Sequence, residues 1–67
     1  MNMIDIGRLI RKRRMSLGID QHTLCAVSKV AVHTLSNIEA GKSNPTVATL
    51  DKLLNTLGME SRIQIKE

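Results

Sequence analysis

The segment from Ile19 to Lys42 constrains the fold more than any other part of the chain, because it contains two short helical patterns that a sharp turn must join. Asp20 is placed to cap the first helix, which Gln21 opens, and Gly41 ends the second. The apolar residues predicted to face inward are Leu24, Cys25 and Val27 in the first helix, Val30 in the connector, and Leu35 and Ile38 in the second. Isolated helices shorter than ~12–15 residues are marginal in water, so these two must pack on each other and on flanking segments.

Two longer helical patterns flank this segment. The first covers residues 4–17 and ends at Gly18; its inward residues are Ile6, Ile10 and Leu17, with Leu9 beside them. The last begins after a capping Thr46 and ends at Gly58; its apolar residues are Val47, Leu50, Leu53, Leu54 and Leu57. We therefore predict an all-α domain of four helices over residues 1–58. Its core is aliphatic, because the chain has no Phe, Trp or Tyr.

Arg14 is the exception on the inward side of the first helix, where it falls between Ile10 and Leu17. An unpaired buried charge is strongly disfavoured, so Arg14 needs an acidic partner. Apart from the capping aspartate, the only acid in the central segment is Glu39, near the end of the third helix. We predict a partly buried, bidentate ion pair that ties the first helix to the third. The alternative is two exposed charges, each hydrated separately.

The charge of the chain is unevenly distributed. Ten Lys and Arg stand against six Asp and Glu, a net charge of +4. Half of the basic residues fall within seven consecutive positions of the first helix: Arg8, Arg11, Lys12, Arg13 and Arg14. This cluster favours a polyanionic partner, and the alternative is a solvated basic helix face. The absence of aromatic rings argues against single-stranded nucleic acid, whose bases stack on such rings.

The sequence contains no recognisable catalytic motif: it has no paired carboxylates, no glycine-rich phosphate loop and no His-Glu metal motif. We expect neither catalysis nor a cofactor. His22 and Cys25 lie three apart, but zinc needs three or four ligands and His33 is predicted on a different face. We expect Cys25 to fill a small gap between helices and His22 to face solvent. One cysteine, no apolar stretch of ~18 residues and no secretory signal favour a cytoplasmic protein without membrane contact.

The outward side of the third helix is where we expect function. Its residues are Ala31 at the entry, then Val32, His33, Ser36 and Asn37, with Thr34 partly outward. A helix that only faces solvent usually carries Lys and Glu, whereas small neutral hydrogen-bonding groups let a helix approach base edges in a major groove. Asn37 suits adenine and His33 suits guanine N7; Thr34 and Ser36 suit phosphates or bases, and Ala31 and Val32 suit thymine methyl groups. The alternative is a protein-binding surface.

Residues on either side of this helix are predicted to hold the DNA backbone. Gln21 begins the preceding helix, where backbone N–H groups and the helix dipole favour a phosphate. Lys42, Ser43 and Asn44 follow the third helix and are placed to contact the backbone on the other side.

The tail, residues 59–67, changes period. Polar and apolar residues alternate through Ser61, Arg62, Ile63, Gln64 and Ile65, as they do in a half-buried strand. No other segment predicts a strand, so the backbone of this one must pair with another chain. The simplest partner is the same strand of a second copy, in an antiparallel ribbon that makes a homodimer. The alternatives are a disordered tail and a strand added to the sheet edge of another protein.

A family resemblance runs through four motifs: IGRLIRKRR, GIDQHTL, VAVHTLSNIEAGKSNP and TLDKLLNTLG, from about Ile6 to Gly58. They resemble the Cro/C1-type (XRE) helix-turn-helix family of phage and bacterial repressors. The most specific elements are Gln21, residues 34–39, and Gly41 with Pro45 after it.

The resemblance implies a lambda-repressor-like fold whose third helix enters the major groove of double-stranded DNA. It also implies phosphate contacts from Gln21 and Lys42, and a counterpart of the Arg14–Glu39 pair.

Three residues depart from the family pattern. Lys29 stands where the family usually has Gly in the turn, and a left-handed conformation costs a non-glycine residue ~1–2 kcal/mol, so this turn is expected to be reshaped or strained. Cys25 replaces the usual Ala. Ala31 replaces a frequent Ser or Thr, which removes a helix cap.

The tail resembles HipB-type antitoxins, which lack a fifth helix and whose C-terminal strands pair across a dimer. This second resemblance implies autoregulation of an operon and a HipA-like toxin kinase as partner. A stand-alone phage-type repressor and a module that mainly neutralises a toxin remain the alternatives.

Overall fold

The computed structural model describes residues 2–59, which form four helices. These are α1 (Met3–Ser16), α2 (Gln21–Ser28), α3 (Val32–Glu39) and α4 (Val47–Thr56). The predicted all-α class is confirmed, and residues 2–59 contain no strand. The strand predicted for residues 61–65 lies outside the described residues.

Three of the four helices begin at a side-chain cap that supplies an acceptor to a free backbone N–H. The Asp20 carboxylate accepts from the Thr23 N–H at 2.8 Å, and Thr46 Oγ1 accepts from the Thr49 N–H at 3.1 Å. Both caps were predicted. The cap of α1 was not: Asn2 Oδ1 accepts from the Asp5 N–H at 2.9 Å, so the helix begins one residue earlier than its apolar pattern.

Glycines in the left-handed region follow three of the helices, as predicted. Gly18, Gly41 and Gly58 have φ values of 72°, 72° and 74°. At the end of α2 the same conformation is taken by Lys29, with φ 66° and ψ 32°. The turn therefore keeps the geometry that suits glycine, and Lys29 carries the strain that the sequence predicted.

α3 packs against both α1 and α2, and α4 packs against α2. The buried apolar residues are Ile10, Leu24, Cys25, Val30, Leu35, Ile38, Leu53, Leu54 and Leu57. Ile6, Ile19, Leu50 and Met59 pack around them and are partly buried. Every helix thus contributes to one aliphatic core, and each short helix is stabilised by its buried side rather than by its own length.

Three residues predicted to face inward are exposed. Val27 is 64% exposed, and Ser28 takes the inward position instead. The reason is helical geometry: Val27 lies about 200° around the helix from Cys25, whereas Ser28 lies one turn after Leu24. Leu17 and Val47 are 45% and 73% exposed. Leu17 follows the last residue of α1, and Val47 is the first residue of α4. Each continues the apolar pattern of its helix, but no neighbouring helix covers that end.

Gly7 allows the closest approach between helices. It is buried on α1, and a Cβ built there would clash with the backbone carbonyl oxygen of Ile38 on α3. Any side chain at position 7 would therefore force the two helix backbones apart.

Arg13 links α1 to the C-terminal end of α4. Its Nε–H donates to the carbonyl oxygen of Leu57 at 3.0 Å, just beyond the end of α4. A cation at the C-terminal end of a helix also interacts favourably with the helix dipole. From its position in the sequence, Arg13 was predicted only as part of the basic cluster.

Candidate nucleic-acid interface

The side of α3 that faces away from the core carries short side chains. Leu35 and Ile38 are buried against the core, as predicted, and this turns His33, Ser36 and Asn37 outward. His33 and Ser36 are exposed, and Asn37 is half-buried. Ala40 was not predicted as part of this side, but it is exposed and follows Ser36 by one turn. We call His33, Ser36, Asn37 and Ala40 the outward face of α3.

Two other predicted contact residues lie at the edges of this face. Val32 was predicted to face outward, but it is half-buried and packs against the core. It precedes Leu35 by three positions, which places it beside the buried stripe of α3 rather than opposite to it. Thr34 is also half-buried, in agreement with its predicted partly outward position.

The N-terminus of α3 has no side-chain cap. Ala31 occupies the cap position with φ −67° and ψ 144°, is exposed, and makes no capping hydrogen bond. This agrees with the loss of a cap expected from Ala at this position. The first N–H groups of α3 therefore depend on solvent or a ligand for hydrogen bonds.

The predicted ion pair between α1 and α3 is present. Arg14 Nε–H and Nη2–H donate to the two carboxylate oxygens of Glu39 at 2.8 and 3.0 Å. The side chains are 12% and 4% exposed, so the pair is largely withdrawn from water. Arg14 Nη1–H also donates to the Ile19 carbonyl oxygen at 2.9 Å. Its hydrogen bonds to Glu39 raise the pKa of Arg14 above its ordinary value.

Glu39 has a second partner, which the sequence did not predict. Gln21 Nε2–H donates to Glu39 Oε1 at 3.2 Å, which joins the first residue of α2 to the last of α3. Gln21 is half-buried. No sequence signal connected these residues, because they are 18 positions apart and belong to different helices.

This arrangement removes the only acidic side chain of α3 from its surface. Glu39 is nearly buried and is matched by the guanidinium of Arg14. The exposed part of α3 therefore presents neutral groups, and no carboxylate of this helix opposes the approach of a polyanion.

The loop after α3 presents a mixture of exposed and inward groups. Lys42 and Asn44 are exposed, whereas Ser43 is half-buried. Its Oγ atom is shielded from solvent and has no hydrogen-bond partner within residues 2–59. In this conformation Lys42 and Asn44 are free to reach a partner, and the Ser43 hydroxyl would first have to rotate outward.

Cys25 and the two histidines are not brought together as a metal site. Cys25 is buried and has a free thiol, and its burial raises its pKa. His22 faces solvent, as predicted. Among residues 2–59 no group of three or more His, Cys, Asp or Glu side chains converges.

The chain matches a known protein family. The family described as Helix-turn-helix matches residues 10–63, most of the chain. The chain belongs to this helix-turn-helix family. The match agrees with the Cro/C1-type family suggested by the sequence motifs, whose members are DNA-binding transcriptional regulators. No curated protein and no solved structure matches the chain.

In this helix-turn-helix protein, α2, the Lys29 turn and α3 form the motif that names the family. None of the helices within residues 2–59 is both long and apolar enough to cross a membrane.

Proposed function

We propose that this helix-turn-helix protein is a transcriptional repressor that binds a palindromic operator as a homodimer. Two copies of α3 would enter successive major grooves about one helical turn apart, and the bound dimer would block access to the promoter. Such a regulator acts in the compartment that holds the DNA, which favours the cytoplasm of a bacterial cell.

The observation that carries this proposal is the outward face of α3. None of its side chains is a carboxylate, a lysine or an arginine, and the one acid of the helix is buried in an ion pair. Short neutral side chains allow the helix backbone to come close to base edges. A surface that served only for solubility would carry long charged residues instead.

The roles of individual residues follow from their hydrogen-bonding groups. The Asn37 amide would pair with adenine, and His33 would donate to guanine N7. Ser36 and Thr34 would reach bases or phosphates, and Ala31 would contact a thymine methyl group. Val32 has only part of its side chain available for such a contact, because the rest packs against the core.

Phosphate contacts would set the position of the protein on the duplex. Gln21 is the first residue of α2, and the loop residues Lys42, Ser43 and Asn44 follow α3, so these candidate contacts lie at the two ends of the motif. The basic cluster on α1 would add longer-range attraction. Because each neutralised phosphate releases counterions, affinity should fall steeply as salt rises, with a slope of about −0.9 per phosphate on logarithmic axes.

The experiment that tests base recognition compares His33→Ala and Asn37→Ala with the native chain in gel shifts on a palindrome upstream of its own gene. We expect each substitution to remove about 1–3 kcal/mol of preference for the correct base pair. Binding to a duplex of unrelated sequence should change much less.

Asn55→Ala is the matched control, since Asn55 is an exposed amide on α4, which is not one of the two helices of the motif. If affinity and sequence preference stay the same in both α3 variants, the outward face of α3 does not contact bases and the proposal fails.

We further propose that the protein is the autoregulating antitoxin of a HipA-like toxin kinase. The support is the resemblance of residues 59–67 to the dimer-forming strand of HipB-type antitoxins. The basic surface of α1, with Arg8, Arg11 and Lys12 exposed, offers a second surface for such a partner.

Co-expression with a kinase-like gene next to this one tests the antitoxin proposal. We expect a stable complex in size-exclusion chromatography and protection of the cell from the kinase. A module that mainly neutralises a toxin would form this complex without binding the upstream palindrome, and a stand-alone repressor would bind the palindrome without forming the complex.

A further inference from the structure

We infer that Glu39 is a positioning residue for DNA binding: it holds the side-chain amide of Gln21 at the start of α2, ready to donate to a DNA phosphate. This inference rests on the proposed DNA-binding function and adds a role for a residue that does not itself face the DNA. The observation that carries it is the hydrogen bond from Gln21 Nε2–H to Glu39 Oε1 at 3.2 Å.

The chemistry of the two groups determines how the amide is held. A carboxylate only accepts hydrogen bonds, so it is the nitrogen end of the Gln21 amide that must face Glu39. That nitrogen carries two hydrogens, and one of them is used by Glu39. The second remains available to an anion. A glutamine that is free to rotate would present its oxygen as often as its nitrogen, and would lose rotamer entropy on binding.

Glu39 is itself fixed, which makes it a suitable anchor. Arg14 donates to both of its oxygens, and the carboxylate is 4% exposed. Arg14 also neutralises the charge of Glu39, which would otherwise repel a phosphate bound at the start of α2. A hydrogen-bonded network thus links α1, α3 and α2 through Arg14, Glu39 and Gln21, and it holds the Gln21 amide in place.

The side chain of Gln21 matters more here because the backbone of α2 is partly occupied. The Asp20 carboxylate accepts from the Thr23 N–H, so that N–H is not free for a phosphate. The exposed Asp20 carboxylate also opposes an anion at the helix end. The Gln21 amide is neutral and keeps one N–H that Glu39 does not use, so it is the group best able to make the contact.

A double-mutant cycle tests this role. Gln21→Ala is measured in the native chain and in an Arg14→Met/Glu39→Leu chain, which removes the acceptor without changing the net charge. Replacing a whole buried ion pair by apolar residues is often neutral for folding. The probe is a 20-base-pair duplex of arbitrary sequence, because a phosphate contact does not depend on sequence. Affinity is read from fluorescence anisotropy.

We expect Gln21→Ala to weaken binding about three- to tenfold in the native chain, the range of one hydrogen bond. In the Arg14→Met/Glu39→Leu chain we expect less than about a twofold effect, because the unrestrained glutamine contributes little. The Asn55→Ala control should leave affinity unchanged. If Gln21→Ala weakens binding equally in both chains, Glu39 does not position Gln21 and the inference is wrong.

A second measurement covers the case in which the Arg14→Met/Glu39→Leu chain does not fold. In the native chain, NMR should show the Gln21 side-chain amide with restricted motion before DNA is added and a shift of its resonances after. The Asn55 amide should move freely and stay unshifted. A freely rotating Gln21 amide in the unbound protein would overturn the inference.

The two proposals fail in different ways. Suppose that the native chain binds the duplex and that His33→Ala and Asn37→Ala weaken its sequence preference on the palindrome. If Gln21→Ala then has the same effect in both chains of the cycle, only the positioning role of Glu39 is lost. If the native chain binds no duplex at moderate salt, the proposed function fails and the inference fails with it.

Discussion

At the scale of single residues, Gly7 determines how closely α1 and α3 pack. A Cβ at this position would clash with the carbonyl oxygen of Ile38, an atom that cannot move without shifting the helix. We expect Gly7→Ala to lower the free energy of unfolding by about 1–3 kcal/mol, although alanine is the better helix former. Urea unfolding followed by circular dichroism measures this.

The control for Gly7 is Gly18→Ala. Gly18 has φ 72° but nothing within 4 Å of a built Cβ, so only backbone strain is added there. A Gly7→Ala variant as stable as the native chain would show that α1 and α3 separate without loss.

Lys29 is a second single residue that is expected to affect the free energy of unfolding, through the strain of its own backbone. It holds the left-handed conformation, φ 66°, that favours glycine. We expect Lys29→Gly to raise the free energy of unfolding by about 0.5–1 kcal/mol, since relief of strain exceeds the entropy that glycine loses on folding. Lys29→Ala keeps the strain while removing the charge, so its stability should stay close to that of the native chain. Equal gains from both substitutions would assign the effect to charge instead.

At the scale of elements, the start of α2 depends on the ionised form of Asp20. The hydrogen bond from the Thr23 N–H holds the pKa of Asp20 below its ordinary value. A lowered pKa in the folded state adds stability above the pKa of the unfolded chain, about 3.9, and this is lost as pH falls through the folded-state value. We therefore expect the native chain to lose stability relative to Asp20→Asn as pH is lowered below about 4.

Thermal unfolding of both chains, at neutral pH and in steps through the acidic range, measures this difference. Asparagine caps helices without titrating, so the comparison isolates the charge of the cap. A difference in melting temperature that stays constant with pH would contradict the assigned role.

At the scale of the whole molecule, the proposed homodimer is predicted to depend on the tail. Met59 packs against the core, so a chain that ends after Met59 keeps the described domain intact. We expect this shortened chain to sediment as a monomer and to bind the proposed palindrome more weakly, because a single α3 would contact only one half-site. Analytical ultracentrifugation distinguishes the two states.

Substitutions in the 67-residue chain provide the matched comparison. Ile63→Ser/Ile65→Ser changes the apolar side of the predicted strand, and Arg62→Ala/Gln64→Ala changes the other side. Only the first pair should weaken the dimer. A shortened chain that remains dimeric would place the main interface in the helical domain.

The sequence determined the features of this protein that depend on neighbouring residues. The caps Asp20 and Thr46 and the stops Gly18, Gly41 and Gly58 act within one helical turn, so they could be predicted by inspection. The Arg14–Glu39 pair joins residues 25 positions apart. It was predictable all the same, because a charge on an inward stripe requires an opposite charge and the central segment offers only one acid besides the capping Asp20.

Tertiary structure decided the features that depend on which surface each helix meets. An apolar pattern gives the direction of the core but not where a neighbouring helix stops, so Leu17 and Val47 are exposed although they continue the pattern. The contact of Gly7 with α3 and the hydrogen bond from Gln21 to Glu39 join residues far apart in the chain. Such contacts arise because packing brings distant backbone and side-chain atoms within a few ångströms, a distance that no local pattern encodes.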